Sequence, residues 1–259
     1  MKIKLGILAL VLALASPAMF AAPKKDKKAK AEKKEKVIDA AKLLADAEFI
    51  RNPQEDYGTT VKIEDVDKSK KSTSSYYTSV KGRDKALVKF TEPTTEIGKR
   101  VLMIDNDMWV YVPTAKKPLR ISPRQKLAGN AAYGDVARLN YTGNYTATYK
   151  GEDNLEKTPV YVLDLVAIEG RPVTYDKVEY WVEKKTKKPL RALYKTISGK
   201  VIREGAYSDY KDVFGVQRPT KIVITDMIDT KHQTTLSFGD PTKEKLSDVM
   251  FQVQNLGKE

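Results

Sequence analysis

Several stretches of this chain are apolar at almost every position, yet they are far too short and too rich in β-branched residues to be helices. They are VYVLDLVAI at 160–168, MWVYV at 108–112, VLMI at 101–104 and IVI at 222–224. Successive side chains of a strand point to opposite faces, so a strand that is apolar throughout must meet apolar matter on both. The segment around Val178, Tyr180 and Val182 behaves differently: these residues alternate with Glu179, Trp181 and Glu183, the pattern of a half-wet strand. Two arrangements satisfy the doubly apolar strands. One is a two-sheet sandwich. The other is a single antiparallel sheet with helices on one side and an enclosed apolar space.

The rest of the chain supports a β-rich fold. Segments rich in Val, Ile, Thr and Tyr predict strands at 58–65, 73–81, 84–91, 99–105, 108–113, 118–122, 144–150, 158–168, 175–184, 188–197, 200–210, 216–226 and 231–238. Turn residues separate them, among them Lys81-Gly82, Asp105-Asn106-Asp107, Ser198-Gly199 and Phe214-Gly215. Such short breaks make hairpins, so the sheet is mostly antiparallel. Residues 123–143 interrupt the rhythm and predict a loop with a short helix near 134–139. Ahead of the strands, Val37, Ala40, Leu43, Leu44, Ala47 and Ile50 recur at helical spacing, which predicts an amphipathic helix over 37–50. Asn52-Pro53 ends it, because the residue before proline avoids helical dihedrals. A last short helix is expected at 242–248, with 249–256 trailing over the surface.

The N-terminus reads as an export signal over 1–21: Lys2 and Lys4, an apolar run from Leu5 to Leu14, then small residues including Ala18 and Ala21. That run is too short for a comfortable membrane span. With no cysteine near the cleavage region, lipidation is not expected, and with no cysteine anywhere an exported chain relies on its core alone. Residues 22–36 form a lysine-rich, nearly core-free tail that should be disordered and could touch anionic lipid transiently. The remainder, 37–259, is expected to be one domain and a monomer. Nucleic acid is a poor partner for an exported chain of this kind.

Catalytic chemistry is sparse. His232 is the single histidine and stands on a predicted strand between Lys231 and Gln233. One histidine and no cysteine exclude the usual zinc ligand sets, and no serine sits in a Gly-x-Ser-x-Gly turn. The Asp105 and Asp107 pair lacks the glycine and distal glutamate of a calcium loop. No catalytic residue, metal site or cofactor is expected.

At 99–145 the chain resembles the outer-membrane lipoprotein-sorting proteins, the LolA-like periplasmic carriers. The likeness rests on Trp109-Val110-Tyr111-Val112-Pro113, Leu119-Arg120-Ile121-Ser122-Pro123, Gly129-Asn130 and Tyr133-Gly134-Asp135-Val136. Arg51-Asn52-Pro53 after the helix, and the ending with Leu246, Phe251 and Leu256, extend it along the chain. The resemblance implies a mainly β fold with helices (α+β): a strongly curved antiparallel sheet, an unclosed half-barrel, lidded by helices over a cavity for acyl chains. It implies a periplasmic carrier that binds a lipoprotein or lipid, takes it from an inner-membrane transporter and delivers it to an outer-membrane acceptor. An envelope-stress sensor of lipid-linked molecules and a lipid hydrolase are the alternatives. Strand parity is not fixed by sequence. With one parity taken for each strand, the ligand-binding wall is assigned to Leu102, Ile104, Trp109, Tyr111, Leu163 and Leu165, and to Trp181, Leu193, Ile222 and Ile224. Leu43 and Leu44 face them from the helix, and Arg120 is a candidate for bonding lid or loop carbonyls.

Overall fold

β-Branched and aromatic residues draw most of the chain into one antiparallel sheet. The computed structural model describes residues 37–137 and 140–258, so the expected export signal over 1–21 and lysine-rich tail over 22–36 lie outside the described residues. Helix α1 is Ala40–Arg51. The first strands are β1 Tyr57–Asp67, β2 Lys70–Lys81, β3 Lys85–Glu92, β4 Arg100–Ile104, β5 Asp107–Tyr111 and β6 Leu119–Ile121. A small hairpin, β7 Lys126–Ala128 and β8 Ala131–Ala132, leads into α2 Tyr133–Val136. The second run is β9 Tyr145–Leu155, β10 Thr158–Ala167, β11 Lys177–Glu183, β12 Pro189–Lys195, β13 Val201–Val213, β14 Val216–Asp226 and β15 Gln233–Phe238. The short β16, Thr242–Lys243, follows.

The topology is two meanders joined at one seam. The order is β6-β5-β4-β3-β2-β1-β15-β14-β13-β12-β11-β10-β9, and β1 pairs β15 antiparallel from Val61↔Phe238 to Val66↔Gln233. The sheet is curved and does not close: β6 and β9 are its two edges. Register shifts put extra residues of β3, β9, β12 and β13 into the ladder, the local device that bends and twists a sheet.

All the strands expected from sequence are present; β7, β8 and β16 were not expected. Three local expectations are corrected. The first helix starts at Ala40, not Val37, because Asp39 caps it by accepting from the Lys42 amide at 2.9 Å. Its buried stripe is Leu43, Leu44, Ala47, Glu48 and Arg51, so two charged residues replace Val37 and Ile50. No helix forms at 242–248: Thr242 and Lys243 pair with Gly58 and Tyr57 of β1, and only short 3-10 turns follow at Asp248–Phe251 and Val253–Asn255. An unpaired strand edge offers this segment better hydrogen bonding than an isolated helical turn. The C-terminal residues do not trail. Leu246, Phe251 and Leu256 are buried against Leu87 and Leu102.

That packing explains the doubly apolar strands. On the face that meets α1, called inner below, Val101, Met103, Met108, Leu163, Leu165, Val178, Tyr180, Ile222 and Ile224 join one core with Leu43, Leu44 and Ala47. On the outer face, β4 and β5 are covered by the C-terminal segment, and Val160, Val162 and Trp181 form a separate small cluster. The second apolar face therefore needs neither a second sheet nor a cavity.

The face assignment is testable on two residues of β10 that lie on opposite faces. Leu163→Ala empties a fully buried inner position and should cost about 2–5 kcal/mol in urea unfolding. Val166→Ala, 44% exposed on the outer side, should stay within about 0.5 kcal/mol.

Candidate ligand-binding interior

Among the described residues, two pieces of chain cover the inner face, α1 and the connection from β6 to β9. Each is fastened by polar groups. Arg218 on β14 is 2% exposed and donates to three carbonyls: Val213 O at 3.2 Å from Nε, Phe49 O, and Ile50 O at 3.3 Å. The last two belong to the C-terminal turn of α1, where unpaired carbonyls and the negative end of the helix dipole favour a cation. The β7–β8 turn is fastened to β1 and β15. The Asn130 amide donates to Thr234 Oγ1 at 2.7 Å, and Thr234 Oγ1 donates to Asp65 Oδ1 at 2.6 Å. Asn130 Nδ2 also reaches His232 O at 3.2 Å. Gly129 is required here: its φ is +53°, and a Cβ would lie 2.0 Å from Asp65 Oδ1.

Between cover and sheet lies a polar nest. Glu48 is 1% exposed; its Oε1 accepts from Arg51 at 2.8 Å and from Asn52 Nδ2 at 2.6 Å, and its Oε2 accepts from the Tyr141 amide at 2.6 Å. The Arg51 guanidinium lies 4.2 Å from the centre of the Tyr141 ring. Beyond it the interior is tyrosine. Tyr141 meets Tyr180 edge-on at 5.5 Å, Tyr180 meets Tyr207 at 6.1 Å, and Tyr175 stacks on Tyr194 at 3.9 Å. Burial pushes the phenols of Tyr141, Tyr175, Tyr180 and Tyr194 well above their ordinary range, so they stay neutral. The Tyr194 and Tyr207 hydroxyls share a hydrogen bond of 3.2 Å. The Tyr180 hydroxyl, on a residue that is 0% exposed, has no hydrogen-bond partner among the described residues. Asp135 in α2, midway along the crossing connection, accepts from the Ala132 amide at 2.8 Å and the Tyr175 hydroxyl at 3.0 Å. Burial raises its carboxyl pKa against the pull of those two donors.

Two pockets beside the end of α1, one next to Arg218 and one next to Asn140, hold about 10 Å³ each, room for roughly one water. Two larger clefts lie elsewhere. One, about 310 Å³, runs between β3, β4 and the C-terminal segment beside Lys89 and Arg100. The other, about 340 Å³ and polar, lies where Asn106 of the β4–β5 turn donates to Asn144 just before β9.

The residues assigned to the wall divide among three places. Leu43, Leu44, Leu163, Leu165, Ile222 and Ile224 share the inner core. Leu102, Ile104, Trp109 and Tyr111 face the other way, under the C-terminal segment, and Trp181 and Leu193 belong to the outer cluster beside Val160. A one-residue parity error moves every side chain of a strand across the sheet. The inner residues of those strands are Val101, Met103, Met108, Tyr180, Ala192 and Tyr194. Arg120 lies in solvent, its side chain 66% exposed and paired with Asp107. The arginine that bonds carbonyls of the helix is Arg218, which stands in a Gln-Arg-Pro sequence that gave no signal. His232 Nε2 lies 3.0 Å from Asp65 Oδ1, within the cluster that holds the β7–β8 turn. Among the described residues no group of three His, Cys, Asp or Glu is placed to hold a metal. Nor is any described helix long and apolar enough to cross a membrane.

Comparison with known proteins places this architecture. A family of uncharacterized proteins matches residues 82–258. A LolA superfamily protein from Nitrosomonas europaea is similar over 83% of this chain and 98% of its own, at 31% identity and a TM-score of 0.78. A DUF1329 family protein from Desulfovibrio piger, at 22% identity, has a TM-score of 0.74 over 84% of this chain and 97% of its own. A putative outer membrane lipoprotein-sorting protein domain from Vibrio parahaemolyticus gives the same TM-score at 19% identity, over 85% of this chain and 98% of its own. None of the curated proteins matches.

Two outcomes are expected of the fastenings. Arg218→Met should leave the sheet intact but unpin the end of α1, so that amides in the last turn of the helix exchange at least tenfold faster in hydrogen-exchange mass spectrometry. For Asp135, a raised folded-state pKa means that the protonated form favours folding. That contribution is present below the unfolded-state value and is lost as pH rises through the folded-state value. Asp135→Asn imitates the protonated form, so its melting temperature should gain on the wild type between about pH 4 and pH 7.

Proposed function

Because this chain belongs to the LolA superfamily, we propose that it is a periplasmic carrier that takes the acyl chain of a lipoprotein or lipid between α1 and the inner face of its sheet. The observation that carries this reading is the cover. A broad apolar face is overlaid by a single 12-residue helix and one crossing connection, each fastened by a handful of polar bonds. A second sheet would make a permanent core; a cover of this kind can be displaced by a ligand that offers equivalent apolar contact. An acyl chain gains ~0.8 kcal/mol for each methylene removed from water. That gain supplies the work of lifting Leu43, Leu44 and Ala47 away from the sheet. The two pockets described beside α1 hold about 10 Å³ each, too little for an acyl chain, so loading there would displace α1.

Tyr180 refines the choice of cargo. A buried hydroxyl without a partner costs about 1–3 kcal/mol. An ester or carboxyl oxygen at the head of an acyl chain would supply the missing acceptor, with Met103 and Met108 adapting to the chain beside it. A transporter in the inner membrane as donor and an outer-membrane acceptor complete the proposal. No covalent chemistry is needed.

The test separates binding from folding. The purified protein should yield extractable lipid by mass spectrometry and bind a fluorescent fatty acid. Tyr180→Phe removes only the unpaired hydroxyl, so it should keep or raise the melting temperature while weakening fatty-acid affinity about three- to tenfold. Leu44→Asp should weaken retention further. A lipid-free protein that binds no fatty acid, or a Tyr180→Phe variant with unchanged affinity, would refute the reading at the level of cargo and of this residue respectively.

A further inference from the structure

Large apolar side chains are exposed at ten described positions, and seven of them lie along one rim of the sheet. The strands β1, β3, β5, β10, β12 and β14 all run toward this rim, and β2, β4, β6, β11, β13 and β15 start from it. Ile97, Leu119, Ile168, Ile197, Met227 and Ile228 stand at its turns and strand ends, with Val166 just behind; Ile197 is 69% and Ile228 75% exposed. The hairpin turns of the opposite rim, at 82–84, 105–106, 156–157, 184–188 and 214–215, hold none. The rim is laterally tied. The Ile197 amide donates to Asp176 at 3.1 Å, the Met227 amide to Ile202 O at 3.0 Å, and Lys68 pairs with Asp229 at 3.8 Å. The turns at 68–69, 168–176, 196–200 and 227–232, which carry Ile168, Ile197, Met227 and Ile228, are thereby held beside one another.

Basic residues are interleaved with these apolar tips. The rim connections 68–69, 93–99, 112–118, 168–176, 196–200 and 227–232 carry seven lysines and arginines against four acids. Three of those acids are engaged: Glu96 with Lys99, Asp176 with Arg124 and Asp229 with Lys68. Lys116, Lys117, Arg171, Lys200 and Lys231 are exposed.

Singly exposed isoleucines need no explanation, but a row of them confined to one rim does. We propose that this rim docks the protein onto an anionic phospholipid bilayer. Ile168, Ile197, Met227 and Ile228 enter the boundary between headgroups and acyl chains, and the exposed lysines meet lipid phosphates. Charge complementarity selects this occupant over a neutral apolar partner: apolar tips supply the buried area, and basic groups add attraction only to a surface of negative charge. The inference concerns the surface alone and holds whatever the interior carries.

Flotation of the mature chain with vesicles tests it. Vesicles of phosphatidylcholine with one quarter phosphatidylglycerol should carry the protein upward, and pure phosphatidylcholine vesicles should carry at least fivefold less. Ile197→Ser/Ile228→Ser and Lys200→Glu/Lys231→Glu should each lower partitioning onto the anionic vesicles at least tenfold with an unchanged melting temperature. Val249→Ser, an exposed residue of the C-terminal segment, should bind as the wild type does. The proposal is overturned if the wild type ignores anionic vesicles or binds neutral ones equally. Rim variants that bind like the wild type would also overturn it, because the lysine-rich stretch 23–36 would then be sufficient. So would a Val249→Ser variant that loses as much binding as they do. A wild-type dimer in sedimentation that the serine pair dissolves would make the rim a contact between copies instead.

Discussion

A sheet that bends without closing presents two edges and one wide inner face, and the features of this molecule follow from how each is kept from water. The edges are treated differently. β6 is only three residues long, and β9 alternates exposed with part-buried residues and carries Lys150, Glu152 and Asp153. Short or charged edges discourage further strand pairing. Side chains bond where the ladder does not: Asn106 of the β4–β5 turn reaches Asn144 just before β9, and Asn52 after α1 reaches Asn140 of the crossing connection at 2.9 Å. The inner face takes α1 and the crossing connection. The outer face of β4 and β5, equally apolar, takes the C-terminal segment through Leu246, Phe251 and Leu256.

Much of this could be read from the sequence because strand formation leaves a local mark. Alternation, β-branching and turn residues are properties of neighbouring positions, so the strands and the hairpin order were accessible. Asn52-Pro53 likewise ends α1 where expected, with Asn52 in an extended conformation. What failed was non-local. The faces of β4, β5, β11 and β12 were misassigned because both faces are apolar and the choice rests on what packs against them. Thr242 and Lys243 looked helical because nothing in their neighbourhood announces Tyr57 and Gly58 as partners. Glu48 and Arg51 stand outside the apolar stripe that the sequence shows, and nothing local marks them as buried. Only the Tyr141 amide and Asn52, brought together by the fold, make their burial affordable.

The placement of polar bonds is uneven along α1, and this bears on how a cover can be both firm and removable. Its last turn is held by Arg218 through Phe49 and Ile50, by Glu48, which accepts from the Tyr141 amide, and by Asn52, which donates to Asn140. Hydrogen bonds to buried charged groups contribute about 1.5–3 kcal/mol each, so this end is costly to detach. Its first turn has the local Asp39 cap and the exposed Lys42–Asp46 pair, which cost little to keep while the helix moves. Between the ends, Leu43, Leu44 and Ala47 bind the sheet by apolar contact alone. Apolar contact is non-directional, and an acyl chain can replace it in kind, whereas the bonds of the last turn require particular partners. On the carrier reading, the helix therefore opens from its N-terminal end about a fixed C-terminal turn. The free energy of opening is set by three side chains that the cargo itself compensates, so the gap between closed and loaded states stays small enough for cargo to be given up again.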